Sequence, residues 1–138
     1  MKKIIILFSL FSATFLNSCS KIETEIDLLP IDYLTAGNIK TWKLSYYTEN
    51  GQDRMLDCLS DDTFIFRKKE GKYEWIKGPK VCVGGDKDLV FDFKLSPDAK
   101  TLDISGSEYK INKLDINTLE IERHFSNSIQ ILGYSINK

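Results

Sequence analysis

From Trp42 onward the chain alternates apolar and polar residues with period two, and no later stretch carries the 3.6-residue period of a long helix. Trp42, Leu44 and Tyr46 alternate with Lys43, Ser45 and Tyr47, and Phe64 and Phe66 with Thr63, Ile65 and Arg67. Tyr73 and Trp75 flank Glu74 beyond a turn at Glu70-Gly71, and Leu89, Phe91, Phe93 and Leu95 alternate with Val90, Asp92 and Lys94. The rhythm continues through Leu102 and Ile104, Tyr109 and Ile111, Leu119 and Ile121, and Ile129 and Ile131. Successive side chains of a strand point to opposite faces, so the pattern predicts eight strands, each with one buried face.

Turn-forming residues punctuate these runs: Ser60-Asp61-Asp62, Gly78-Pro79, Gly84-Gly85-Asp86, Ser96-Pro97-Asp98 and Ser105-Gly106-Ser107. Short strands joined by short turns favour an antiparallel meander that closes on itself, because closure removes exposed edges. The expected fold is all-β: one up-and-down, eight-stranded antiparallel barrel over residues 39–138. A two-sheet β-sandwich is the alternative, since periodicity does not separate the two. Eight strands leave an interior that side chains fill or that holds one small ligand.

The N-terminus obeys a different rule. Lys2 and Lys3 precede a mostly apolar run from Ile4 to Leu10 that continues to Leu16, too short to span a hydrocarbon core. It reads as a signal segment. Its end, Leu16-Asn17-Ser18-Cys19, resembles the lipobox of bacterial lipoproteins. That resemblance implies cleavage before Cys19, with residues 1–18 as signal peptide, and lipid on the Cys19 thiol. Residues 19–38, interrupted by Pro30, then form a tether ending in a short helical turn. The implied address is the cell envelope: export, and lipid anchoring to a bacterial membrane, the outer membrane in first place, at its periplasmic face or at the cell surface. Removal of residues 1–18 leaves 17 basic against 20 acidic residues, a net charge near −3. Such a surface offers no basic patch for nucleic acid, so membrane attachment rests on the anchor.

With Cys19 committed to lipid, Cys58 and Cys82 remain, and an even pair in an exported domain reads as a disulfide. Asp57, Asp61 and Asp62 surround Cys58 with negative charge that disfavours a reactive thiolate. One histidine, His124, is too little for a tetrahedral metal site, so neither a metal nor a cofactor is expected.

Catalytic templates are missing as well: no HExxH, GxSxG, Walker or GxGxxG motif occurs. Gly84-Gly85-Asp86-Lys87 precedes a strand and not a helix, so it reads as a turn, not a phosphate cradle. Glu120 and Glu122 share the polar face of their strand with His124 at its end, a solvated arrangement. A non-enzymatic protein is expected.

Three pieces of sequence resemble the lipocalin-like lipoproteins of the Bacteroidetes, themselves similar to the calycin group of eight-stranded barrels. They are Trp42-Lys43-Leu44, the stretch from Cys58 to Phe64, and the run from Thr101 to Ile111. The resemblance implies a barrel for a small hydrophobic ligand, with Trp42 as a plug at its closed end. Lys40 stands where lipocalins proper place a glycine two residues before that tryptophan.

Two functions from different classes follow. In the first, Trp42, Phe64, Phe66, Trp75, Phe91 and Phe93, with Tyr46, Tyr73 and Tyr109, line a pocket for a small hydrophobic ligand. In the second the same rings fill the barrel, and the protein is an interaction module, an inhibitor or assembly subunit for an envelope protein. Its working turn would be Lys77-Gly78-Pro79-Lys80, held in shape by Cys58–Cys82. The number of large rings in so small a barrel favours filling.

Overall fold

A computed structural model describes residues 28–136 except 83, 84 and 86. The signal segment, Cys19, the first part of the tether, and Gly84 and Asp86 of the Gly-rich turn lie outside the described residues. A six-residue helix α1 (Pro30–Thr35) leads into nine strands. These are β1 (Ile39–Glu49), β2 (Gln52–Asp53), β3 (Thr63–Arg67), β4 (Lys72–Ile76), β5 (Leu89–Leu95), β6 (Thr101–Ile104), β7 (Ser107–Leu114), β8 (Thr118–Phe125) and β9 (Ser128–Ser135).

All described strand pairs are antiparallel between chain neighbours, apart from two that involve β1. The first half of β1 pairs with β3 (Trp42 opposite Phe64) and its second half with β9 (Tyr47 opposite Leu132). One long strand thus seals both edges of the sheet, which makes an eight-stranded barrel and removes the sandwich alternative. The ninth strand, β2, is a two-residue addition that folds back on the end of β1.

The closed end is built from the last part of the tether. Pro30 opens α1, where its missing N–H costs nothing, and Ala36 (φ 48°) and Gly37 (φ 81°) reverse the chain through the left-handed region. Leu34 and Thr35 are fully buried, so this segment is a plug and not a solvated linker. The indole N–H of fully buried Trp42 donates to the Leu34 carbonyl at 3.1 Å. Lys40, in the place of the lipocalin glycine, donates through Nζ to the carbonyls of Tyr33 (2.6 Å) and Ile116 (2.7 Å) and lies 4.0 Å from the Trp42 ring centre. Burial holds its pKa below the usual lysine value against the opposing pull of Asp115.

Above this plug the inner face is packed by Leu44, Phe66, Phe93, Leu102 and Leu119. Phe66 meets Phe93 edge-on at 5.1 Å and Tyr73 at 4.9 Å. Each such side chain removed from water contributes about 1.5 to 3 kcal/mol, so the lower barrel is the molecule's core.

Strict period two fails at two bulges, and a third strand turns the opposite face inward from the one expected. Between Leu44 and Tyr46 the β1–β9 register slips, leaving Ser45 as an extra residue. Every residue beyond it changes face: Tyr46, expected inside, lies on the outer surface, and Tyr47 turns inward. A second bulge, between Ile111 and Lys113, does the same in β7 and brings Leu114 against the core. In β9 the inward residues are Gln130, Leu132 and Tyr134, so Ile129 and Ile131 face out. Leu132 and Tyr134 flank Gly133, which hides the inward rhythm beside the more conspicuous isoleucines.

Candidate ligand cavity

The barrel is filled only in its lower half. Toward the other end, where β4 passes to β5, β6 to β7 and β8 to β9, the walls enclose a cavity of about 520 Å³, within the size range of small-molecule sites. Of the nine rings expected to form pocket or core, Phe64, Tyr73, Trp75, Phe91 and Tyr109 line this cavity. Trp42, Phe66 and Phe93 pack beneath it. Tyr46 takes no part: it is 37% exposed, and its hydroxyl donates to Glu120 on the outer face of β8. The rings therefore fill one end of the barrel and line the other.

The lining adds residues that the sequence alone did not single out as a site. Leu44, Ile104, Ile121 and Leu132 supply apolar wall, and Tyr47, Tyr134, Gln130, Ser105 and Ser107 supply polar groups. Leu59 reaches the cavity from a 3-10 turn (Asp57–Leu59) in the loop before β3, a position that no strand periodicity marks.

Phe64 stands at the centre of the aromatic wall. Its ring centre lies 5.5 Å from Trp75, 6.2 Å from Tyr73 and 5.2 Å from Tyr134, the last edge-on. Burial pushes both the Tyr73 and the Tyr134 phenol well above their usual pKa. Tyr47 is raised too, chiefly by burial. These hydroxyls stay protonated at neutral pH, so the apolar wall carries neutral hydrogen-bond donors and no ionised phenol.

The loops at this end are fastened by two devices. Cys58 and Cys82 form a disulfide with Cα atoms 5.3 Å apart, which ties the Leu59 turn to the β4–β5 connection. The second is the fully buried Asp62 carboxylate. It accepts hydrogen bonds from the Trp75 indole N–H (2.6 Å) and the Gly78 amide (2.8 Å), with Lys77 Nζ 3.4 Å away. Lys77 also lies 3.5 Å from the Trp75 ring centre.

The turn from Lys77 to Lys80 is thereby accounted for by internal contacts. The Lys77 side chain is only 16% exposed, not the free charge of an exposed partner turn. Lys80 is exposed and pairs with Asp57 at 2.8 Å, while its amide donates to Asp61. A Cβ on Gly78 would overlap the Asp61 carboxylate, so a larger residue there would have to displace Asp61.

Glu120, Glu122 and His124 form no inward site. Glu122 accepts hydrogen bonds from Asn112 and lies 2.7 Å from His124 Nε2, and these contacts hold its carboxyl below the usual range. Among the described residues no cluster of His, Cys, Asp or Glu is arranged to hold a metal ion. None of the described helices is long and apolar enough to cross a membrane.

No curated protein matches the chain. The family model for a lipocalin-like domain matches residues 39–121. Its span runs from the sealing strand β1, with Trp42 on the plug, through the aromatic wall to Ile121 on the far side of the cavity. With more than half of the sequence matched and the barrel closed as described, the chain belongs to the lipocalin-like domain family.

Proposed function

We propose that this protein is a cell-envelope binding protein, exported by residues 1–18, tethered through lipid on Cys19, and holding one small hydrophobic molecule in its barrel. It acts by sequestering or presenting that molecule and not by converting it. The observation that carries the reading is the cavity: an aromatic and aliphatic wall around about 520 Å³, with protonated tyrosines as its polar groups. Native mass spectrometry of the protein purified from an envelope-containing host, followed by organic extraction, tests it. A discrete co-purifying mass in the lipid or small-metabolite range supports a binding protein. A clean apo mass with no uptake of an apolar dye overturns it and directs attention to protein partners.

A further inference from the structure

Beside cavity-lining Tyr109 stands a cation, Arg123, that forms no ion pair among the described residues. Arg123 follows Leu119 and Ile121 on the inner face of β8 and lies opposite cavity-lining Gln130 of β9. Its guanidinium carbon is 5.6 Å from the ring centre of Tyr109, which lines the cavity, and 5.3 Å from that of Phe125 at the rim. The nearby carboxylates are engaged elsewhere. Glu49, in the same row beyond Gln130, faces Arg54 at 3.7 Å. Glu122 pairs with His124, and Glu120 with Tyr46. Among the described residues no ion pair to Arg123 is formed, so its guanidinium is left without a carboxylate partner.

A guanidinium held against aromatic rings keeps its donors in a planar fork that fits a carboxylate. Below it lies an apolar chamber with no ionised group of its own among its lining residues. We infer that the ligand is an amphipathic carboxylate, its apolar body against Phe64, Phe91, Ile121 and Leu132 and its anionic end at Arg123. This rests on the ligand-binding reading above and narrows it to a chemical class.

The test is displacement of an uncharged naphthylamine dye from the full chain by dodecanoate and by dodecanol, which share one apolar chain. Dodecanoate is expected to bind tenfold or more tightly than dodecanol, as charge-assisted hydrogen bonds allow. Arg123→Gln should erase that preference, lowering dodecanoate affinity far more than dodecanol affinity, and Arg123→Lys should keep part of it. High salt should shrink the preference in the unmodified protein, a control that needs no variant. Equal affinities, a preference that survives Arg123→Gln, or one indifferent to salt overturns the carboxylate inference while the cavity reading stands. If neither compound nor the dye binds, both fall.

Discussion

The ring of Tyr46 packs against Gly133 of the neighbouring strand, so closely that a Cβ at residue 133 would overlap it. The aromatic side chain covers the bare backbone, and its hydroxyl reaches past it to Glu120. Hydrogen bonding to Glu120 adds to partial burial in pushing the Tyr46 phenol up to about 12. This contact exists because the Ser45 bulge turns Tyr46 outward, so it reports on register and not on the cavity.

Gly133→Ala should therefore displace the Tyr46 ring and destabilise the barrel by about 1 to 3 kcal/mol in chemical denaturation, the usual range for overpacking. Tyr46→Phe, which loses one exposed hydrogen bond, should cost at most about 1 kcal/mol. Neither variant should alter ligand affinity, whereas Tyr47→Ala should, because Tyr47 and not Tyr46 faces inward.

Much of this was legible from residues 42 to 121, where seven runs of period two and their turns marked the barrel wall. What escaped was whatever breaks the period. The single extra residue at Ser45 exchanged Tyr46 for Tyr47, and the isoleucines of β9 outweighed the smaller signal of Leu132 and Tyr134. The plug at Leu34 was hidden in a tether, because six helical residues carry too little periodicity to announce a buried face. Periodicity also names which residues face inward without saying how much space they leave, which is why filling and lining could not be separated.

The plug is testable in its own right. Leu34→Ala removes a fully buried side chain from beneath Trp42 and should cost about 2 to 5 kcal/mol. A loss below 1 kcal/mol in the denaturation midpoint analysis would show that α1 is dispensable to the barrel.

Asp62 should be more important than any lysine of the turn it organises. Asp62→Ala strands the Trp75 indole N–H and the Gly78 amide without their acceptor, and breaking such a buried charged contact costs about 3 to 5 kcal/mol. Lys80→Glu, on an exposed pair, should change stability by less than about 1 kcal/mol in the same assay.

Reduction of Cys58–Cys82 should lower stability by about 3.5 kcal/mol on the loop-entropy estimate for a sequence separation of 24 residues. It should also loosen the Leu59 wall of the cavity. Titration with urea, with and without reductant, measures the first effect, and a faster dissociation of bound dye the second.

Alkaline titration should separate the buried tyrosines from the rest. Tyr73 and Tyr134 have folded pKa values above their unfolded value of 10.0, so above that pH the folded state holds more protons than the unfolded chain. Their contribution to stability is complete below pH 10 and falls as pH rises through the folded values. Phenolate absorbance from these two should appear together with loss of the barrel's near-ultraviolet circular dichroism. Tyr73→Phe and Tyr134→Phe should each remove part of that late step.

The central claim is that a small molecule occupies the space between Phe64, Ile121 and Leu132. The most direct measurement is uptake of an uncharged naphthylamine dye by the native protein and by Leu132→Trp, which puts a large ring into the cavity. Saturable one-to-one uptake, weakened at least about tenfold in a variant that keeps its near-ultraviolet circular dichroism, is the predicted result. Equal uptake by both proteins, or none by either, would contradict it.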